Sequence, residues 1–334
     1  MIRSVFKPTR SLAAAGALLA LLGTAPAAAA PLKVWVAYYG IDSPTCGDIN
    51  TPCLGLQQAH NNVMPGGDVS VLTPIDFGLL LNITKSVNIT NDGVGEASIL
   101  MTAGNPTGQA ILVNAGRGDV VSLRGLVVDG QIRGPTGIQI QQASAVHIQN
   151  CVIRNFEASG SAWGISLVAG NPIQLFVSDT IIYNNGSMLG TAGIVISPIG
   201  GSGSIRVVLD RVHVENNVIG IGMAGGTSPT TSLHVLIRDS VVSGNASDGI
   251  SAFTGPGLGP ILAVVERTSV MGNGGIGIHA DGPHAVILLD DNTITQNGEG
   301  VGAGVGAQLI SYGNNRNNNN VGDEGFVTGT FAPM

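Results

Sequence analysis

The chain has 334 residues, of which 10% are charged and 4% aromatic, with 50 glycines and a formal charge of −7. So little charge is inconsistent with a disordered polyelectrolyte, and so few aromatics with a core built on large rings. An acidic balance without a basic run disfavours nucleic acid and anionic lipid as partners, and disfavours polyanionic sugars unless a local basic groove exists.

Residues 1–30 read as a secretory signal peptide. Arg3, Lys7 and Arg10 form a cationic head, Leu12 to Leu22 an apolar middle, and Ala25 to Ala30 a small-residue cleavage region ending near Ala30. Its removal takes three of the 14 basic residues and no acidic one, leaving 11 against 21, a formal charge of −10. No later stretch is long and apolar enough to span a bilayer, for which roughly 20 residues are needed. The mature chain is expected to be secreted or periplasmic, without a membrane span.

Residues 31–68 read as an N-terminal cap. Val34-Trp-Val36 is a candidate strand, and Leu54 to Met64 places Leu56, Ala59, His60 and Val63 at helical spacing. Between them lies Cys46-Gly-Asp-Ile-Asn-Thr-Pro-Cys53, where an oxidising compartment would let Cys46 and Cys53 pair. A metal site is the rival, but two thiolates without nearby histidine or further cysteine make a poor zinc set, so no metal is expected. Cys151, inside an apolar strand, reads as a small buried hydrophobe.

From residue 69 to 313 the chain repeats. A glycine followed by a branched apolar residue occurs at Gly137, Gly164, Gly193, Gly220, Gly249, Gly275 and Gly300, at intervals of 27, 29, 27, 29, 26 and 25 residues. A near-constant period means one supersecondary unit stacked on copies of itself. Upstream of the glycine stands a polar residue, then Val or Ile, then Asn, each three residues on: Asp179-Ile182-Asn185, Asp239-Val242-Asn245, Arg267-Val270-Asn273 and Asp291-Ile294-Asn297. Short alternating strands such as Val146-His-Ile148 and Val235-Leu-Ile237 precede each polar turn. The Asn and Gly positions suit left-handed backbone. Three strands of about four residues and three turns fill one repeat, and no segment between 120 and 300 has a helical apolar period. The fold class is therefore all-β, a parallel β-helix of three-strand coils with a short helix in its N-terminal cap.

These repeats resemble those of right-handed parallel β-helix proteins, the pectate-lyase-like fold, over residues 65–320. The resemblance implies right-handed coils, which the preference of parallel crossovers also favours, and an asparagine ladder of Asn185, Asn217, Asn245, Asn273 and Asn297. It implies as well a helix covering the open end, as residues 54–64 suggest, while the Asn/Gly-rich residues 314–334 suit a C-terminal cap or tail.

Enzymes of that fold act on polysaccharide in an outer groove, with acidic residues, an arginine or lysine base and often calcium. Alternation makes Val146, Ile148, Val235, Ile237, Ala263, Val265, Ile287 and Leu289 inward, so the outward column beside the polar turn is Gln149, Ser178, Asp210, Arg238, Glu266 and Asp290. Arg238 between Asp210 and Glu266 reads as a surface ion-pair ladder. The functional alternative makes Arg238 a base or carboxylate clamp, and Asp210, Glu266 and Asp290 acids or calcium ligands. A second candidate, His279-Ala-Asp281-Gly-Pro-His284, is similar to the Asp-Pro-His motif of alginate epimerases but carries an inserted glycine. His279, Asp281 and His284 are thus candidate substrate-binding residues, with an ordinary Gly-Pro turn as the simpler expectation.

Two residues before the charged column, His147, Phe176, Val208, Leu236, Val264 and Leu288 form an outward strip that is apolar in five of six places, which points to self-association or lateral packing. The catalytic signatures of pectate lyases and polygalacturonases are missing. The sequence is therefore expected to encode a non-catalytic binding or structural module at the bacterial surface or in the periplasm, with a polysaccharide as possible ligand. The alternative is a lyase, epimerase or hydrolase acting on acidic polysaccharide, and calcium belongs only to that alternative.

Overall fold

The computed structural model describes residues 30–78, 80–102, 108–157 and 162–331. The leader read at residues 1–30 lies, Ala30 apart, outside them. Each coil runs through three strands in turn, and stacking places like strands side by side in three parallel sheets of 12, 10 and 10 strands. Sheet I begins with Lys33–Val36 and ends with Gly329–Thr330, sheet II runs from Ile75–Phe77 to Arg316–Asn317, and sheet III from Leu81–Ile83 to Asp323–Gly325. Among the described residues no helix is long and apolar enough to cross a membrane.

Alternation drives the stacking. Val146, Leu175, Val207, Val235, Ala263 and Ile287 of sheet I, Ile153, Ile182, Val214, Val242, Val270 and Ile294 of sheet II, and Ile138, Ile165, Ile194, Ile221, Ile250 and Ile278 of sheet III all point inward, and none is more than 3% exposed. Each side chain thus rests on its counterpart in the next coil, about 4.8 Å away. Removing one leaves a cavity between two neighbours that the backbone ladders hold apart, at a cost of about 2–5 kcal/mol for Ile to Ala.

The glycine row follows from close packing. Gly164, Gly193, Gly220, Gly249 and Gly277 do not have positive φ, contrary to the expectation of left-handed backbone. A Cβ on Gly220 would sit 2.4 Å from the carbonyl oxygen of Gly249 and 2.9 Å from Asn245 Nδ2. Register also moves one member of the row. Ile250 pairs with Ile278, so the glycine equivalent to Gly249 is Gly277, and Gly275 belongs to the preceding turn.

Left-handed residues occupy both short turns. Between sheets I and II they are Asn150, Asp179, Arg211, Asp239, Arg267 and Asp291, with φ from 45° to 52°. Between sheets II and III they are Asn155, Asn184, Asn216, Gly244, Gly272 and Gln296, each one residue before the row occupied by Phe156 and then by Asn185 to Asn297. Within that row every asparagine Oδ1 accepts from the coil before. Asn185 Nδ2 donates to Asn217 Oδ1 at 3.0 Å, Asn217 Nδ2 to Asn245 Oδ1 at 3.2 Å and Asn273 Nδ2 to Asn297 Oδ1 at 2.8 Å. Phe156 starts the row, its backbone N–H donating to Asn185 Oδ1 at 3.2 Å, and Asn320 continues it, accepting from Asn297 Nδ2 at 3.1 Å.

The other turn contains a second polar row that the sequence did not suggest. Backbone N–H groups of Cys151, Val212, Thr268 and Asn292 donate to Thr180 Oγ1, Ser240 Oγ, Asn292 Oδ1 and Asn315 Oδ1 of the following coil.

At the N-terminal end the helix Leu56–Asn62 lies over the first coil. It is shorter than the segment 54–64 because Gly55 and Val63 are both extended. Its residue Gln57 acts as a substitute strand: Oε1 accepts the Asn82 N–H at 2.7 Å and Nε2 donates to the Asn82 carbonyl at 3.3 Å. His60 Nε2 accepts the Thr84 N–H at 3.3 Å. The edge of the first sheet III strand, Leu81–Ile83, therefore has its hydrogen-bonding groups engaged by side chains. Lys33–Val36 pairs with Gly67–Val71 as the first rung of sheet I, and the tail after Asn314 adds a last rung to all three sheets.

Candidate functional site

The charged column beside the first turn exists, and of the two partners expected for Arg238 it keeps Asp210 but not Glu266. Arg238 Nε lies 3.1 Å from Asp210 Oδ1, but Glu266 pairs with Arg267, whose Nη2 is 2.9 Å from Glu266 Oε1. Arginines that do sit between two carboxylates come from the left-handed turn residues. Arg211 Nε is 2.7 Å from Asp179 and its Nη1 2.5 Å from Asp210, while Arg267 Nε is 2.7 Å from Asp239. Two adjacent columns thus alternate in sign both along and across the coils from Asp210 and Arg211 to Glu266 and Arg267, until Asp290 and Asp291 end the alternation. A side chain on a left-handed residue projects sideways over its neighbour column, which is why alternation along the strand alone misassigned the pairs.

The ion pairs hold two carboxylates of the turn column ionised. Hydrogen bonds from Arg211 keep Asp179 below the usual carboxylate range, and Arg267 does the same for Asp239. Both guanidinium groups are raised by those carboxylates, Arg211 through Asp179 and Arg267 through Asp239. A guanidinium so held has no tendency to act as a base. Asp290, at the end of the column, accepts a hydrogen bond from Asn314 Nδ2 at 2.6 Å.

The second candidate set is divided between two faces. His279 lies on the outside of sheet III, its Nδ1 3.1 Å from Asp248 Oδ2, and the other oxygen of Asp248 accepts the Ile276 N–H at 2.9 Å. The hydrogen bond to Asp248 raises the His279 pKa, with Asp281 and Glu299 adding to it electrostatically. Asp281 ends the same strand, Ile276–Asp281. His284 has already left that face: it is an exposed turn residue beside sheet I, its backbone N–H donating to Thr254 Oγ1 at 3.0 Å. Asp248 stands 31 positions from His279, and nothing in the sequence marks it.

On the outside of sheet I the chemistry changes half-way. Lys33, Asp68, Asn88, Ser122 and His147 follow one another in register, and then Phe176, Val208, Leu236, Val264, Leu288 and Ile310 continue the same row. His147 and Phe176 stack at the junction, ring centroids 4.8 Å apart. The aliphatic half contains a shallow trough of about 300 Å³ lined by Arg206, Val208, His234, Leu236, Leu262 and Val264. A second, of about 310 Å³, shares His234 and Leu262 with it and reaches His284. Arg206 and His234 are exposed and make no ion pair among the described residues. Extending the alternation two residues upstream of the apolar strip would have found both.

Cys46 and Cys53 form the disulfide that the sequence suggested. Together with Asp42 they are the one group of three potential ligand atoms close together among the described residues. The disulfide consumes both thiolates, and one Asp42 oxygen accepts the N–H groups of Leu54 and Gly55, each at 2.8 Å. Cys151 is buried, and burial pushes its thiol up to about 11.

No family model matches the sequence, and no curated protein matches it. Solved structures do. Pectate lyase Pel9A superposes with a TM-score of 0.60 at 16% identity, over 90% of this chain and 78% of that one. Geobacillus virus E2 ORF18 follows with a TM-score of 0.45 at 14% identity (86% and 60% covered), and an alginate lyase from Paenibacillus sp. str. FPU-7 with 0.41 at 15% (84% and 99%). The first of these shows the fold: a right-handed parallel β-helix of the pectate-lyase-like type. At this identity the likeness is one of architecture, and fold alone does not assign a reaction.

Proposed function

We propose that the chain is an exported, non-catalytic carbohydrate-binding module whose ligand, a carboxylated polysaccharide, lies along the aliphatic half of the outer face of sheet I. The observation that carries this reading is the trough between Arg206 and His284. Sugar rings present C–H faces that suit Val208, Leu236, Leu262 and Val264, while Arg206, and the histidines when protonated, offer partners to carboxylates. The neighbouring columns supply no free base, because their arginines are held by Asp179, Asp210, Asp239 and Glu266. The Cys46–Cys53 disulfide accords with an oxidising, extracytoplasmic location. Pectate lyase Pel9A, named for an enzyme acting on pectate, shares the architecture and makes a carbohydrate the natural ligand class to test.

The test is a glycan-array screen paired with an assay for unsaturated uronate release, with and without calcium. The expected result is binding to acidic glycans without product, weakened by Arg206→Ala. Product release abolished by Arg238→Ala would replace this reading with that of a lyase. The same strip supports the alternative occupant, a second copy of the chain. Sedimentation that shifts from dimer to monomer on Leu236→Glu, without glycan binding, would favour it.

A further inference from the structure

The disulfide loop of the cap carries a second surface feature, remote in sequence from the sheet I trough. Only four tyrosines occur in the chain, and two of them, Tyr38 and Tyr39, are adjacent and exposed at 67% and 52%. Their rings meet edge to face at 5.4 Å and 89°. Tyr39 forms one wall of a cavity of about 340 Å³, whose other walls include Ile41, Ser43, Thr45, Asn50 and Thr51. That volume falls within the range of small-molecule sites.

The loop is held firmly. Besides the Cys46–Cys53 bond, Gly40 N–H donates to Ala37 O at 2.9 Å, Ile41 N–H to Pro52 O at 3.2 Å and Tyr38 N–H to Thr73 Oγ1 at 2.9 Å. From the helix, Asn62 Nδ2 donates to the carbonyls of Ser43 and Cys46, both at 2.9 Å, and Gln58 Nε2 to that of Ser43 at 3.1 Å. Gly40 is required for this path, since a Cβ there would meet the Cys53 carbonyl oxygen at 2.3 Å. A backbone so constrained lowers the ordering cost of binding at the aromatic side chain it carries.

The lining decides the ligand. No charged side chain lines the cavity. The two carboxylates of the loop are engaged within it, Asp42 by the N–H groups of Leu54 and Gly55, and Asp48 by the Asn50 N–H at 2.9 Å and by Asn50 Nδ2 at 3.1 Å, which leaves Asn50 its Oδ1 and one amide hydrogen. What remains are three hydroxyls and one amide, groups that both donate and accept, beside one aromatic ring. We infer that this cavity is a binding site for a neutral saccharide, with a sugar ring against Tyr39 and its hydroxyls on Thr45, Asn50 and Thr51. The site is independent of the sheet I trough, which takes the carboxylated ligand.

Saturation-transfer NMR on the full chain, with a panel of uncharged disaccharides built from glucose, galactose, mannose and N-acetylglucosamine, tests it. Transfer to the ring C–H protons of at least one of them is expected, and Tyr39→Ala should weaken that binding about tenfold, the loss expected of one stacking contact. Tyr39→Phe should retain it, which shows the loop to be intact, and Arg206→Ala should leave it unchanged, which separates it from the trough. Absence of transfer from every sugar in the panel, or transfer indifferent to Tyr39→Ala, overturns the assignment.

Discussion

Asn245 reaches Asn273 twice: its Nδ2 donates to Asn273 Oδ1 at 2.8 Å and its backbone N–H donates to the same oxygen at 3.1 Å. Its own Oδ1 in turn accepts both the backbone N–H and the Nδ2 of Asn217, at 2.9 and 3.2 Å. One buried side-chain amide thus satisfies both backbone and side chain of Asn217 on one neighbouring coil and donates to the side chain of Asn273 on the other. Asn245→Ala orphans several buried groups together and is expected to cost on the order of 3 kcal/mol. Asn245→Asp should cost more, since it sets a carboxylate oxygen against Asn273 Oδ1 in the interior. Urea unfolding of the three proteins checks the order.

Substitution of the glycine row should act through the same ladder. Gly220→Ala inserts a Cβ between the Gly249 carbonyl and Asn245 Nδ2. It is expected to destabilise by about 1–3 kcal/mol through overpacking. Gly222, two residues on, has its nearest atoms at 3.9 Å, so Gly222→Ala should be close to neutral. A pair of thermal melts distinguishes the two positions.

Two histidines should give the stability profile opposite slopes around the ordinary imidazole value. Burial holds His60 low, so its neutral form is the folded one. Its contribution is complete above the unfolded pKa and is lost as pH falls from that value toward the folded pKa. His279 is raised by its hydrogen bond to Asp248, so its contribution is complete below the unfolded pKa and is lost as pH rises through the folded one. His279→Gln is therefore expected to remove the loss on the alkaline side, and His60→Gln the loss on the acid side. Denaturation midpoints measured from pH 5 to pH 8 read both.

Cys151 should be chemically silent in the folded chain. Its thiol is buried and raised to about 11, so little thiolate exists at neutral pH and no reagent reaches it. Alkylation by iodoacetamide is expected only after unfolding, at a rate that follows the opening of the coil. Mass spectrometry of labelled native and denatured protein tests this.

The architecture was legible because the coil repeats its inward residues: Ile138, Ile165, Ile194, Ile221 and Ile250 recur at a period that alternation and turn residues explain. The reasons for particular residues were less so. Gly220 and Gly249 are marked in the sequence, but the carbonyl and amide that exclude a Cβ there come from the next coil. The run Gly272, Gly274, Gly275 and Gly277 offered two equivalent registers, and only strand pairing chose Gly277. In the charged columns, residue type was visible and pairing was not, since Arg211 and Arg267 act from left-handed turns whose side-chain direction strand alternation does not give. The trough between Arg206 and His284 depends on neighbours about 28 residues apart, a separation set by the coil length.

Gln57 closes the first strand of sheet III with a side-chain amide, and in doing so it touches one coil only. The cap places no demand on how many coils follow. Whole units between Thr136 and Val301 can be duplicated or deleted during evolution without redesign of the helix or the disulfide loop, provided each new coil brings its own asparagine and glycine. Length, and with it the reach of the outer face along an extended polymer, is then a property that selection can change in steps of one repeat.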